Sequence, residues 1–209
     1  MHIRAPAIVC ASRQHGETAA IARLLTSEHG LVAGYVAGAR GRQLRPVLIP
    51  GNIVEAELTS RSESQLPFAR LELVQSRGPW LTEPLPAAAI AWVTALAATV
   101  LPERQPYPAL YEALAALLDA ICVAPSARGW AMPLLSYEVL MMRELGYGVP
   151  VTRPEDDNWA AMLRTFDKLG QSIARYALAE RQSDVMAARS MLRDKLARIE
   201  SDEKDSELP

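Results

Sequence analysis

Three arginines lie within six residues, at Arg40, Arg42 and Arg45, in a segment from 37 to 46 that contains no acidic residue. A guanidinium group is always charged near neutral pH, and it presents a planar fork of N–H donors that matches the geometry of phosphate oxygens. A glycine-punctuated loop of this composition therefore indicates a contact with a phosphate backbone. The alternative reading is a solvated basic loop without a ligand.

The charge distribution along the chain makes this cluster more informative. The 209 residues carry a formal net charge of −2, so there is no overall signal for a polyanion. Residues 1–80 contain nine arginines, no lysine and six glutamates, which gives 9 − 6 = +3, and the remainder gives 13 − 18 = −5. This asymmetry predicts a basic face in the first third of the chain.

Two further residues of this first third are candidate nucleic-acid contacts. Arg13 ends the first predicted strand, next to a turn at His15. Tyr35 lies in the third predicted strand, and it would stack on a base if it faced a binding groove. The two-residue period of a strand does not decide between that position and the core of the domain.

The residue types that would support covalent chemistry are scarce. Cys10 and Cys122 are far apart, which excludes a cysteine zinc site, and the three histidines have no metal-ligand spacing. Phosphate-binding and nucleophile-elbow motifs are absent from the sequence. We therefore expect no catalysis, no metal and no cofactor, and an inert, buried thiol at Cys10. An enzyme that binds a phosphate group through Arg40, Arg42 and Arg45 is a minor alternative.

The first 80 residues read as strands separated by glycine, proline and asparagine. The apolar or alternating runs fall at residues 6–10, 19–25, 31–37, 52–58 and 68–74, of which 19–25 is also compatible with a short helix. Five short strands in this length are typical of an OB-fold β-barrel.

From Pro79 onward the pattern becomes helical, which predicts an α+β protein with an all-α second domain. Helices are predicted at about 87–101, 108–121, 132–145, 163–177 and 185–199, the last carrying Arg189, Arg193 and Arg198 on a solvated face. The expected domains are a nucleic-acid-binding domain at 1–80, a helical domain at 81–200 and an acidic, disordered tail at 201–209.

The sequence shows no signal peptide and no segment that would span a membrane, as the N-terminus and the longest apolar run indicate. The first residues lead directly into a strand, without a charged segment followed by an apolar one. The longest apolar run, 87–101, is 15 residues long, which is too short to span a bilayer. We expect a soluble, cytoplasmic protein with no membrane partner.

The order of several short motifs resembles the bacterial RecO family of DNA repair and recombination mediators. The resemblance covers roughly residues 3–149. The matching motifs are Ile8-Val9, Gly16-Glu17-Thr18, Glu28-His29-Gly30, Gly38-Ala39-Arg40, Tyr137-Glu138-Val139-Leu140 and Glu144-Leu145-Gly146-Tyr147-Gly148.

This resemblance implies an N-terminal OB-fold, a C-terminal helical domain and no covalent catalysis. It also implies binding of single- and double-stranded DNA, annealing of complementary strands, and work with RecR in loading RecA onto DNA coated by the single-strand binding protein SSB. Such a protein would act at the nucleoid, with Arg13, Tyr35, Arg40, Arg42 and Arg45 as its expected DNA contacts. The alternative is an OB-fold adaptor that bridges proteins and binds little DNA itself.

The sequence departs from the family pattern at three places. Many relatives carry a cysteine zinc module after the Gly-Tyr-Gly region, whereas residues 149–158 form a short connection without cysteine, so zinc is not expected. Leu135 and Ser136 stand where some relatives have basic residues at the docking site for the acidic SSB tail, which leaves that contact open. The basic loop contains arginines where lysines are common.

Overall fold

The computed structural model describes residues 2–62, 64–148, 158–179 and 185–206. Five strands come first: β1 (His2–His15), β2 (Ala19–Thr26), β3 (Gly30–Val36), β4 (Ile53–Thr59) and β5 (Phe68–Gln75). A 3-10 turn (Gly78–Thr82) leads into the helices. These are α1 (Pro84–Val100), α2 (Pro108–Val123), α3 (Arg128–Glu144), α4 (Trp159–Ser172), which continues as one π-helical turn (Ile173–Ala177), and α5 (Val185–Ser206).

The five strands form a barrel with the strand order β1-β2-β3-β5-β4, closed by antiparallel pairing of β4 with β1. The contact between β3 and β5 is a single parallel pair, Tyr35 with Phe68, supported by a hydrogen bond from the Tyr35 N–H to the Pro67 carbonyl oxygen. This order and the helices that follow confirm the predicted α+β class and OB-fold. The ambiguous segment 19–25 is strand β2.

The barrel interior is filled mainly by small and branched side chains. Ala22, Leu24, Val54 and Leu58 are among its fully buried members. Gly34 lets the sheet close tightly, since a Cβ at this position would lie 2.8 Å from both the Ala69 Cβ and the Leu58 side chain. The barrel therefore has a packed centre, and any ligand must bind at its surface.

One end of the outer barrel face is covered by the helices. Ile8, Cys10, Leu25 and Leu31 point out of the barrel into the same buried cluster that contains the cores of α1 to α5. Glycine is required at the adjoining β2–β3 turn, because Gly30 has φ +66° and a Cβ there would collide with the backbone carbonyl oxygen of Gln105. The barrel and the helices thus share one apolar core.

A buried ion pair lies at the centre of the helical part. Arg189 on α5 is 4% exposed and forms two hydrogen bonds with the Glu138 carboxylate on α3, of 3.1 Å from Nε and 2.8 Å from Nη2. Trp92 on α1 donates to the same carboxylate at 2.7 Å, and the Phe166 carbonyl oxygen on α4 accepts from Arg189 at 2.7 Å. The prediction of a solvated Arg189 is therefore wrong, since this one group joins four helices.

Other differences from the predicted elements are local. α3 begins at Arg128, and Pro133 lies inside it as its sixth residue, where proline removes one hydrogen bond of the helix. α5 continues to Ser206, so the backbone of residues 201–206 is helical where the sequence predicted a tail. The connection at 149–157 lies outside the described residues. Of the helices in the described part of the chain, none is both long enough and apolar enough to cross a membrane.

Candidate nucleic-acid interface

The segment between β3 and β4, which we call the arginine loop (residues 37–52), is anchored from inside the barrel. Ala39, Val47 and Leu48 are buried in the barrel core. Asn52, at the end of the loop, is fully buried, and its side-chain amide donates to the carbonyl oxygens of Pro46 at 2.8 Å and Val47 at 3.1 Å. These contacts hold the loop's backbone against the barrel, while its arginines extend into solvent.

Asn52 also connects the loop to the start of the helical part. Its side-chain oxygen accepts a 2.7 Å hydrogen bond from the backbone N–H of Arg77. The Arg77 side chain is 1% exposed and reaches Asp119 on α2 with a 2.6 Å contact. The position of the arginine loop is therefore fixed relative to α2 as well as to the barrel.

Two of the three loop arginines line one cleft. The Arg40 guanidinium donates to the Glu17 carbonyl oxygen at 3.2 Å, and this contact ties the loop to the turn between β1 and β2. Arg40 and Arg45 then border a cleft of about 390 Å³, together with Ser12 and Gln14. Arg42 is exposed and is not among the residues that line this cleft.

Arg13 and Tyr35 lie on a different face from that cleft. Arg13 is paired with Ile21, and Ile21 is paired with Tyr35, so all three share the outer face of the barrel. Ser12 and Gln14, the cleft residues of β1, alternate with Arg13 and point to the opposite side of the strand. The structure therefore divides the five predicted contacts into two sets rather than one cluster.

The outer face carries a row of three aromatic rings, which we call the aromatic row: His15, Tyr35 and Phe68. The His15 and Tyr35 ring centroids are 5.9 Å apart, the Tyr35 and Phe68 centroids are 5.1 Å apart, and both pairs meet edge to face. Tyr35 is half-buried and Phe68 is 62% exposed. The question left open by the sequence is thus answered: Tyr35 faces outward and not into the barrel core.

Sequence reasoning missed Phe68 and His15 as parts of this site. Phe68 was recognised only as the first residue of a strand, and His15 as a turn residue. The signal for Phe68 was present, since a large aromatic ring begins the strand directly after Pro67, at the loop between β4 and β5. In OB-folds, ligands bind across strands 2 and 3 between the β1–β2 and β4–β5 loops, which is where the aromatic row lies.

Phe68 also forms a wall of two surface grooves. One, of about 760 Å³, runs along the β4–β5 loop and is lined by Arg61, Gln65 and Leu66. The other, of about 690 Å³, includes Arg70 and Leu71. Each groove next to the exposed ring therefore combines one arginine with apolar side chains, as a base and its phosphate require, and the second groove is also lined by the acidic Glu57.

The arginines of residues 1–80 differ in whether they form ion pairs with acidic side chains. Three of the nine are in ion pairs with acids: Arg4 with Glu55, Arg23 with Glu103 and Arg77 with Asp119. Within the described residues Arg13, Arg40, Arg42 and Arg45 have no ion pair, and all four are exposed. Their charges are available to a ligand.

The cysteines confirm the prediction made for Cys10. Both are free and buried. Burial raises the pKa of the Cys10 thiol to about 12, against smaller opposing effects of the Leu25 backbone and Arg23, so this thiol stays protonated. In the part of the chain that the structure describes, no three histidine, cysteine or acidic side chains are grouped closely enough to hold a metal ion.

The fold defines the class of this protein: an OB-fold barrel joined to a C-terminal helical domain. Two family models match the chain, Recombination protein O N terminal over residues 1–77 and Recombination protein O C terminal over residues 83–154. The chain belongs to the RecO family.

Curated relatives agree with this assignment. The DNA repair protein RecO of Rhodospirillum centenum (strain ATCC 51521 / SW) is 43% identical over 144 residues, which are 68% of this chain and 56% of the relative. The proteins of the same name from Phenylobacterium zucineum (strain HLK1) and Rhodospirillum rubrum are 37% and 39% identical, over 73% and 69% of this chain. The chain spans 62% and 59% of the length of these two relatives.

Proposed function

We propose that this protein binds single-stranded DNA across the outer face of its barrel and acts as a mediator in DNA repair and recombination. The observation that carries the proposal is the aromatic row of His15, Tyr35 and Phe68, exposed between the two loops that frame OB-fold sites. Stacking of bases on such rings is independent of sequence, which suits a protein that must act anywhere in a genome.

The arginines supply the second part of the interface. Arg13 lies on the face of the aromatic row, whereas Arg40 and Arg45 line the cleft on the other side of β1 and Arg42 extends from the same loop. A strand that stacks on the rings and turns around the β1–β2 hairpin would meet both sets. Neutralising several phosphates releases counterions, so affinity is expected to fall steeply as salt is added.

Membership of the RecO family supports the finer parts of the proposal. In this scheme the protein binds single- and double-stranded DNA, anneals complementary strands and, with RecR, helps to load RecA onto SSB-coated DNA, possessing no catalytic activity of its own. It would act in the cytoplasm, at the nucleoid. Docking of the SSB tail at α3 would have to proceed without basic side chains at positions 135 and 136, since Leu135 is buried and Ser136 bonds its own helix.

Removing the aromatic rings should weaken DNA binding strongly. Tyr35→Ala and Phe68→Ala are each expected to cost about 1–3 kcal/mol of binding to single-stranded DNA, because each removes one stacking platform. Fluorescence anisotropy with a labelled oligonucleotide measures the affinity. Val74→Ala is the matched control for Phe68→Ala. Val74 lies on β5 with Phe68 and is 64% exposed, but it has no ring to stack on a base.

Removing the loop arginines should change the salt dependence. The combined variant Arg40→Ala, Arg42→Ala, Arg45→Ala is expected to reduce the slope of log K against log salt by about 2, which is ~0.7 for each of three phosphate contacts on a single strand. The charge-retaining variant with lysine at the same three positions should keep the slope. Strand annealing should slow in the first variant and persist in the second.

The wild-type protein separates this proposal from the protein-adaptor alternative. An adaptor would show no DNA binding by the wild type at low salt while still retaining RecR in a pull-down. An unchanged affinity in both the ring and the arginine variants would place the DNA surface elsewhere and contradict the proposed interface.

A further inference from the structure

A second cationic surface lies on α4, well outside the barrel. Arg164, Lys168, Gln171 and Arg175 follow one another at intervals of four, three and four residues, and all four are exposed. These intervals place them on one face of a helix. Within the described residues none of the three cations has an acidic partner. We call this face the α4 stripe.

The stripe ends at a pair of exposed aromatic rings. Tyr147 and Tyr176 stack with their centroids 6.0 Å apart and an interplanar angle of 23°. Tyr176 is 46% exposed, and the Arg175 guanidinium lies 5.3 Å from its ring centroid. Two large rings that stack on each other while both stay more than one third exposed, beside a row of cations, leave aromatic surface open to a ligand.

The backbone is shaped to present both rings. α3 ends with Gly146 at φ +84°, and the Tyr147 N–H then bonds back to the Met142 carbonyl oxygen at 2.8 Å, which closes the helix and turns Tyr147 outward. The π-helical turn after α4 is closed by a hydrogen bond from the Leu178 N–H to the Ile173 carbonyl oxygen, and both of these side chains are buried. The extra residue in that turn leaves Tyr176 at the surface, and such turns are frequent at functional sites.

We propose that the α4 stripe and the Tyr147–Tyr176 pair form a second binding site for single-stranded nucleic acid. The twelve residues from 164 to 175 extend about 16 Å, enough to follow several phosphates of one strand. The exposed tyrosines would stack a base at the end of that path. The cations of the stripe and Tyr176 lie beyond residue 154, where the match to the C-terminal family model ends, whereas Tyr147 lies within that match.

A second site would explain how one chain brings two strands together. This inference rests on the proposed function, because it assigns the second strand of an annealing reaction to α4 while the barrel holds the first. An acidic peptide is the other ligand that an exposed cationic stripe attracts. Base stacking on the tyrosine pair favours nucleic acid.

The test uses the full chain and a labelled oligodeoxythymidylate of about 32 nucleotides, twice the upper site size of one OB-fold. The stripe variant Arg164→Ala, Lys168→Ala, Arg175→Ala should lower the salt slope by about 2 and slow annealing of complementary strands. Tyr147→Ala should weaken binding without changing the slope. The controls are Arg164→Lys with Arg175→Lys, which keeps the charge, and Lys195→Ala with Arg198→Ala, which removes two charges from α5; neither should change the slope.

The outcomes separate this inference from the proposed function. An unchanged slope and annealing rate in the stripe variant, with binding still dependent on Tyr35 and Phe68, would overturn the second site and leave the barrel site intact. If the stripe variant lost the wild type's binding to an oligoglutamate peptide while its DNA binding was unchanged, the second site would be overturned in favour of an acidic partner. A wild type that binds no DNA at low salt would overturn both.

Discussion

Arg189→Ala is expected to lower the free energy of unfolding by about 3–5 kcal/mol, the largest loss that we expect from any single truncation in this chain. Among the described residues, the substitution leaves the fully buried Glu138 carboxylate with the Trp92 indole N–H as its one remaining hydrogen-bond donor. It also removes a guanidinium that lies 3.6 Å from the Phe166 ring centroid, so packing is lost together with the charge. Urea unfolding followed by tryptophan fluorescence measures the change.

Arg193→Ala is the matched control on the next turn of α5. Arg193 forms two hydrogen bonds with Asp167, of 2.9 and 2.8 Å, and they lower the pKa of that carboxyl group. Both partners are more than one third exposed, so the pair should contribute no more than about 1 kcal/mol. Glu138→Leu combined with Arg189→Met should recover much of the lost stability, because it removes both buried charges together. Equal losses for Arg189→Ala and Arg193→Ala would contradict the central role of the buried pair.

Gly30→Ala should cost about 2–5 kcal/mol, through two additive effects. A left-handed backbone costs an alanine about 1–2 kcal/mol, and insertion of a methyl group into a closely packed contact adds about 1–3 kcal/mol. The contact concerned is with the Gln105 carbonyl oxygen, in the segment that also pairs with β3 through the Arg104 N–H and the Leu31 carbonyl oxygen at 2.9 Å. The same unfolding measurement applies.

Gly16→Ala and Gly38→Ala separate these two effects. Both glycines have φ +65°, nearly the same as Gly30, but a Cβ at either position would meet nothing within 4 Å. Each should therefore lose only the backbone cost of about 1–2 kcal/mol. If all three substitutions were equally destabilising, the approach of Gln105 to Gly30 would be irrelevant to stability.

The class of fold was predictable because it depends on local patterns. Short alternating runs separated by glycine and proline identified all five strands, and the change to helical spacing after Pro79 identified the second domain. The predicted boundaries were less accurate. β1 extends from His2 to His15 because its first half pairs with β4 and its second half pairs with β2, and this pairing is not visible in the composition of the strand itself.

The candidate site was only partly predictable, for a geometric reason. The charges of Arg40, Arg42 and Arg45 are evident in the sequence, but the division between the arginine loop and the aromatic row depends on strand register. Tyr35 and Phe68 are 33 positions apart and meet through the single parallel pair between β3 and β5. Arg189 was misjudged because its partner, Glu138, lies 51 residues away, and no local pattern identifies such a pair.

The core that the barrel shares with the helices has a mechanical consequence. Ile8, Leu25 and Leu31 would be exposed to water in a fragment cut near residue 80, so such a fragment would lack part of its own interior. Separating the two halves would expose these side chains to water, so movement of the helices should move the barrel with them. We therefore expect the two halves to unfold in one transition, and a strand bound at the proposed interface on the barrel would move together with the helical half.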